Sequence, residues 1–159
     1  MKKIFNSTMF VAVIATANIC YAQTVPSEDN PIDRTDFIVN PSFENGTTGW
    51  TVSNLVSQSN NSFTPKEGTF YLEKWVSSGS AGNANVKQII TKLPVGLYKL
   101  TAGAQNISQS TPAKENTGVK IFANDEQTAV YTADDYSVKF KYVGGQVEIG
   151  YVSQNAGGN

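Results

Sequence analysis

The 159-residue chain contains no histidine, and its single cysteine, Cys20, lies near the amino terminus. The missing histidine excludes Ser-His-Asp and Cys-His arrangements, and zinc sites built on histidine and cysteine are excluded as well. One cysteine forms no intrachain disulfide, so the core has to supply the stability. No phosphate-cradling glycine motif is present. Of the common catalytic arrangements, this composition leaves open a pair of carboxylates.

Charged residues are few, with 12 basic and 13 acidic side chains and a formal net charge of −1. Nucleic-acid binding requires clustered positive charge, which this chain lacks, so we expect no nucleic-acid partner. A two-carboxylate glycosidase would draw on Glu44, Glu73, Asp134, Asp135 and Glu148. No pair among them stands out by its spacing, and we therefore expect no enzymatic activity.

The first 22 residues have the pattern of a secretory signal peptide. A basic start precedes a short, mostly apolar stretch over residues 10–19, and the segment ends in the small residue Ala22. The stretch is too short for a transmembrane helix, so we expect no membrane insertion and predict cleavage before Gln23. Lipid attachment at Cys20 is a less favoured alternative, because a bulky isoleucine precedes it. The predicted location is the periplasm, the cell surface or the medium.

Cleavage at this point would leave about 137 residues with 10 basic and 13 acidic side chains, a size that favours one domain. Residues 23–35 are rich in Pro, Ser, Asp and Glu and contain almost no large apolar side chain. Such a segment buries too little surface to order itself. We therefore expect a disordered linker over 23–35 and one monomeric globular module over 36–159.

The globular part has the alternating pattern of β-strands, and no apolar period of 3.6 residues continues for the length of a helix. Val138, Phe140 and Tyr142 alternate with lysines, and the pair Gly144-Gly145 that follows is a two-residue hairpin signal. The predicted strands cover residues 36–40, 50–57, 69–76, 85–93, 97–105, 118–124, 136–143 and 146–152. Short strands at this spacing predict an all-β antiparallel β-sandwich of the jelly-roll type.

Residues 40–50 form the turn around which this prediction is built. Pro41 fixes its own φ and biases the residue before it towards extended conformations, so the first strand should end there. Phe43 and Trp50 are then expected to turn inwards and seal one end of the sandwich. Glu44 lies in the same loop. Its carboxylate is either solvated, or caps backbone N–H groups, or binds a hard cation such as calcium.

The same stretch carries a family resemblance. Residues 37–46, which read FIVNPSFENG, followed by Gly49 and Trp50, resemble the opening of galactose-binding-like β-sandwich modules. These include carbohydrate-binding modules attached to secreted glycoside hydrolases of Bacteroidetes-type bacteria. Later segments agree in order, over residues 68–75, 88–89, 93–100, 118–124 and 145–150. The resemblance covers residues 36–159 and implies a non-catalytic module whose partner is a polysaccharide or another glycan.

The resemblance also implies one structural calcium ion near the first strand, with Glu44 and Asn40 as candidate ligands. Such modules usually continue past the position of Asn159 into a final strand that pairs beside the first and often lends an Asp to the calcium site. The given sequence ends at Asn159. The resemblance therefore predicts a sheet that lacks its last strand, or a truncated reading frame. Either case leaves an exposed edge and a poorer metal site.

Aromatic and polar side chains in the loops are the candidates for sugar binding. Trp75 lies at the end of the predicted strand 69–76, before a loop, where it either stacks on a sugar ring or caps the core. Glu73 and Asn83 could bond the hydroxyl groups. Tyr131 and Tyr136 flank two aspartates in a loop that suits polyol recognition and suits a solvated loop equally well.

We therefore expect a secreted carbohydrate-binding module that binds sugar through loop aromatics and amides. One alternative is a structural or adhesive surface domain that binds no sugar. Burial of the loop aromatics would favour this alternative, because it would remove the platform for a sugar ring. The other alternative is a truncated remnant of a longer glycosidase.

Overall fold

The computed structural model describes residues 3–8, 26–60, 63–108, 112 and 114–158. Within these residues the regular structure is β-strand, apart from one turn of 3-10 helix at Thr35–Phe37. The strands are β1 (Lys3–Thr8), β2 (Ile32–Asp33), β3 (Thr51–Ser53), β4 (Val56–Gln58), β5 (Tyr71–Glu73), β6 (Ser80–Ile90), β7 (Gly96–Ala104), β8 (Ile107–Ser108), β9 (Lys114–Glu115), β10 (Val119–Ala123), β11 (Glu126–Ala129), β12 (Asp134–Tyr142) and β13 (Val147–Gly158).

Two sheets form the body of the molecule. Their strand orders are β12-β7-β1-β2 and β11-β10-β13-β6-β3, and every pairing is antiparallel. Tyr98 and Leu100 of the first sheet share one core with Val86, Ile121 and Ile149 of the second. The chain is therefore an all-β antiparallel β-sandwich, as the sequence predicts. The narrower jelly-roll assignment stays a prediction.

The clearest sequence alternation places side chains as expected. In β12, Val138, Phe140 and Tyr142 are buried, and the two lysines between them are exposed. Phe140 lies opposite Tyr98 in β7, and the two rings stack with centroids 5.5 Å apart. Because buried aromatic side chains contribute much of the apolar area of a core, this pair is a main contact within the first sheet.

The predicted hairpin at Gly144-Gly145 is wrong. The strand before the two glycines pairs with β7, whereas the strand after them pairs with β6 and β10 of the other sheet. Both glycines have positive φ, and the Tyr142 hydroxyl donates to the carbonyl oxygen of Gly145 at 2.8 Å. The local signal gives the turn correctly, but the partners of the two strands are set by packing between the sheets.

Several strand boundaries also differ from the prediction. Residues 36–40 form no strand: the 3-10 turn is followed by bends, and Asn40 has a φ of +50°. The predicted strand 50–57 is broken at Asn54, whose φ is +57°, into β3 and β4, which lie in different sheets. The predicted strand 69–76 is reduced to β5. β11, which the prediction lacks, is mostly polar and pairs with β10 across a two-residue turn.

The first strand of the structure lies in the predicted signal peptide. Lys3–Thr8 pairs with β7 on one side and with β2 on the other. In the predicted linker, Glu28 forms an ion pair with Lys139 on β12. Cleavage after Ala22 stays a prediction, and it would remove β1 and open the edge of β7. No helix in the described part of the chain is long and apolar enough to cross a membrane.

Candidate functional site

The turn from Asn40 to Trp50 closes on itself through hydrogen bonds. The Asn40 side chain accepts the Asn45 N–H at 3.0 Å and donates to the Gly46 carbonyl oxygen at 3.0 Å. The Trp50 indole N–H donates to the Asn40 carbonyl oxygen at 3.1 Å. Phe43 and Trp50 are 1% and 8% exposed, with ring centroids 5.2 Å apart. The prediction that both rings turn inwards is confirmed.

Gln88 holds this turn against the second sheet. It lies near the end of β6, and its side chain is 7% exposed. The amide nitrogen donates to the carbonyl oxygens of Val39 and Gly49 at 3.0 and 2.9 Å, and the amide oxygen accepts the Val39 N–H at 2.9 Å. These bonds satisfy backbone groups that no strand pairing reaches. Sequence reasoning missed this contact, since 49 residues separate Gln88 from Val39.

Glu44 caps a neighbouring loop. Its Oε1 accepts the N–H groups of Thr69 at 2.8 Å and Phe70 at 2.9 Å. The Phe70 and Thr69 hydrogen bonds lower the pKa of the Glu44 carboxyl below its ordinary value, because they stabilise its charged form. A Cβ at Gly68, where φ is +70°, would collide with this carboxylate. Glycine at this position therefore allows the cap to form.

The calcium site predicted at Glu44 and Asn40 stays a prediction. The side-chain oxygens of both residues accept backbone N–H groups, and the Asn40 carbonyl oxygen accepts the Trp50 indole N–H. The described residues contain no cluster of three or more His, Cys, Asp or Glu side chains that could hold a metal ion. These oxygens accept hydrogen bonds from the protein. For Glu44, this is the alternative in which the carboxylate caps backbone N–H groups.

A cavity of about 350 Å³ opens between the two sheets. Leu100 and Ala102 of β7 face Val86, Ile121 and Ile149 of the second sheet across it. These side chains are buried and apolar. Because exposed residues such as Trp75 also line it, the cavity is open to solvent. Its volume falls within the range of about 300–1,000 Å³ typical of small-molecule sites.

Exposed and half-exposed polar side chains surround the mouth of this cavity. Trp75 lines it and is 53% exposed, which rules out the core-capping alternative for this residue. Glu73, at the end of β5, also lines it, and so do Lys66, Asn106 and Asp134. We call these five residues the rim. The rim combines an aromatic face with two carboxylates, an ammonium group and an amide, a set that suits a ligand with hydroxyl groups.

The other predicted sugar ligands lie elsewhere. Asn83 is not among the cavity-lining residues, and its side-chain oxygen accepts the Asn155 N–H at 3.0 Å. The Tyr136 hydroxyl donates to the Thr132 carbonyl oxygen at 2.6 Å and accepts the Tyr131 N–H at 2.9 Å. This loop contributes Ala133 and Asp134 to the cavity, but neither tyrosine ring. A binding role for Asn83, Tyr131 and Tyr136 stays a prediction.

Tyr151 is a cavity residue whose role the sequence did not reveal. The alternation in β13 places it on the inner face, where a tyrosine is expected to be part of the core. In the structure it lines the cavity, and burial raises the pKa of its hydroxyl well above its ordinary value. Its hydroxyl makes no hydrogen bond with the described residues. It therefore offers a ligand a donor within an apolar surrounding.

Three of the five candidate carboxylates lie outside the cavity lining and are engaged in contacts with other residues. Glu44 caps the loop at Thr69, Asp135 pairs with Lys66 at 2.7 Å, and Glu148 pairs with Lys87 at 2.9 Å. The remaining two, Glu73 and Asp134, both line the cavity. The expected lack of enzymatic activity stays a prediction.

Comparison with known proteins adds no family assignment. No protein-family model matches the chain, and no curated protein matches it in sequence. The resemblance to galactose-binding-like modules therefore remains an expectation drawn from the residues quoted above.

Proposed function

We propose that this chain is a carbohydrate-binding module whose site is the rim of the inter-sheet cavity. The observation that carries the proposal is the exposed Trp75 indole at the mouth of a cavity of about 350 Å³, which Glu73 and Asn106 also line. The Asn106 amide nitrogen donates to the Thr117 carbonyl oxygen at 3.2 Å, and its amide oxygen can accept a ligand hydroxyl. An indole face packs on the C–H face of a sugar ring, while carboxylate and amide groups bond its hydroxyls.

A site of this kind binds weakly. The rim residues are exposed or half-exposed, so most of their polar contacts compete with water. We expect dissociation constants of roughly millimolar to micromolar, or about −4 to −8 kcal/mol. Affinity for a long polysaccharide would be greater when several modules bind one chain.

The test is a titration of the protein with a panel of plant and host polysaccharides, with calcium or with a chelator. Tryptophan fluorescence and calorimetry are read together, because Trp75→Ala removes a fluorophore. Saturable binding in the wild type is expected to weaken at least about tenfold in Trp75→Ala, the loss of one good contact. The matched control is Ile89→Ala, which truncates an apolar side chain as exposed as Trp75 but outside the cavity lining. Equal loss in both variants, or no binding by the folded protein, would contradict the proposal.

A structural or adhesive role is the second candidate, and one surface feature favours it. Val95, Leu97 and Val143 are exposed apolar side chains, and the register that pairs Tyr142 with Gly96 brings them to the same end of the first sheet. Apolar residues grouped on a surface are typical of protein contacts. Concentration-dependent association of the wild type, lost in Val143→Lys, together with no glycan binding, would support this role instead.

A further inference from the structure

The interior of the cavity differs in chemistry from its rim. Leu100, Ala102, Val86, Ile121 and Ile149 have no polar side-chain atoms, and they form the facing walls. A sugar hydroxyl placed among them would lose its hydrogen bonds to water without gaining others. The interior therefore favours an apolar group over a second sugar ring.

The polar side chains near these walls change that conclusion little. The Ser153 hydroxyl lines the cavity but already donates to the Gly82 carbonyl oxygen at 2.6 Å. Tyr151 lines the cavity as a partly buried residue, and its hydroxyl makes no hydrogen bond with the described residues. One ligand acceptor can be satisfied there, whereas the several hydroxyls of a sugar cannot.

We propose that the ligand of this site is a glycoside or sugar ester with an apolar substituent, such as an aryl or alkyl group. The sugar packs on Trp75 and bonds Glu73 and Asn106 at the rim, and the substituent enters between the sheets. An acceptor atom on the substituent accepts a hydrogen bond from the Tyr151 hydroxyl. This inference rests on the proposed function, since it assumes that the rim binds the sugar.

The volume agrees with such a ligand. The volume of about 350 Å³ belongs to the whole cavity, rim included. It suits a sugar ring in contact with water at the rim and one small apolar group, such as a six-membered aromatic ring or a short alkyl chain, at the inner end. Burying an aryl group strengthens binding because its apolar surface leaves water. The sugar part selects the ligand at the rim, and the substituent supplies most of the affinity.

The test compares matched methyl and phenyl β-glycosides of galactose, glucose, mannose and xylose by calorimetry on the full chain. We expect the phenyl glycoside of the preferred sugar to bind at least about tenfold more tightly than its methyl partner. In Ala102→Leu, which fills the interior, the ratio of the two affinities is expected to fall towards one. Thermal unfolding checks that the variant folds, and Ala104→Val, also a cavity residue, is used if it does not.

The remaining outcomes separate the two proposals. Equal affinity for methyl and phenyl glycosides would overturn the apolar substituent and leave the carbohydrate-binding proposal standing. Phenol that binds as tightly as the phenyl glycoside, with no loss in Trp75→Ala, would show that the sugar is not recognised and would overturn both. A p-nitrophenyl glycoside supplies acceptor oxygens for the Tyr151 hydroxyl, so it should bind more tightly than the phenyl glycoside. This gain in affinity should disappear in Tyr151→Phe. An unchanged gain would remove Tyr151 from the site.

Discussion

The turn from Asn40 to Trp50 and the rim around Trp75 use similar residues for opposite purposes. Both contain a tryptophan, a glutamate and an asparagine. In the turn, the tryptophan is buried and the polar groups bond the protein's own backbone. At the rim the tryptophan is exposed. The Asn106 amide nitrogen and the Lys66 ammonium are bonded within the protein, whereas the Asn106 amide oxygen and, deeper in the cavity, the Tyr151 hydroxyl make no hydrogen bond with the described residues. Polar groups satisfied internally stabilise a fold, while those left available recognise a ligand.

The two tryptophans allow the sharpest test of this comparison. Trp50→Ala is expected to destabilise the protein by about 3–5 kcal/mol, because it removes a large buried side chain and leaves a cavity. Trp75→Ala is expected to change stability by no more than about 0.5 kcal/mol, since its side chain is more than half exposed. Chemical denaturation measures both. Similar losses in the two variants would break the comparison.

Gln88 gives the next largest effect. Gln88→Leu keeps the approximate size of the side chain but leaves the Val39 N–H and the carbonyl oxygens of Val39 and Gly49 without partners. We expect a loss of about 3 kcal/mol in the free energy of unfolding. Gln127→Leu, at an exposed position of β11, is the control and should stay within about 0.5 kcal/mol. A loss below about 1 kcal/mol at Gln88 would show that water replaces these bonds.

Two glycines with positive φ separate backbone strain from the Glu44 cap. Gly46→Ala meets no atom within 4 Å, so its cost is that of the left-handed backbone, about 1 kcal/mol. Gly68→Ala adds a collision with the Glu44 carboxylate and is expected to cost about 2–3 kcal/mol. Thermal unfolding of both variants provides the measurement. Equal losses would mean that the carboxylate moves aside freely.

The cap also predicts a small effect of pH. The folded-state pKa of Glu44 is lowered from 4.5, so its contribution is present above about pH 4.5 and is lost as the pH falls through the lowered value. The stability difference between the wild type and Glu44→Gln should therefore be larger at pH 7 than at pH 3. Denaturant titrations at several pH values measure it. A difference that does not vary with pH would exclude the charged cap.

The sequence predicted the fold where the pattern is local. The alternating runs in β7 and β12 are strands close to the expected bounds, because each residue faces either core or solvent. β13 begins where expected but continues to Gly158, beyond the predicted end at residue 152. The prediction failed where a distant group decides the structure. Residues 36–40 have an extended pattern, yet Gln88 rather than a neighbouring strand bonds Val39. At Gly144-Gly145 the chain passes from the first sheet to the second, because pairing with distant strands, and not the local turn signal, decides where each strand lies.

At the candidate site too, the sequence predicted what depends on neighbouring residues and missed what depends on distant ones. Trp75 and Glu73 were predicted from their position next to a strand end, and both line the cavity. Asn83 was chosen for its residue type, but its side chain bonds Asn155, which is 72 residues away. The alternation in β13 places Tyr151 on the inner face, but alternation gives the face of a strand and not the distance between the two sheets. A cavity between sheets cannot be seen in a pattern along one strand.

The central claim is that Trp75 binds the ligand, whereas Trp50 stabilises the fold. Acrylamide quenching of two single-tryptophan variants, Trp50→Phe and Trp75→Phe, with and without a saturating phenyl glycoside, tests it directly. In Trp50→Phe, which keeps Trp75, the ligand is predicted to reduce the quenching of Trp75 by acrylamide. In Trp75→Phe, which keeps the buried Trp50, quenching is predicted to be low already and to stay unchanged when the ligand is added. Protection of Trp50, or of neither residue by a ligand shown to bind, would contradict the account.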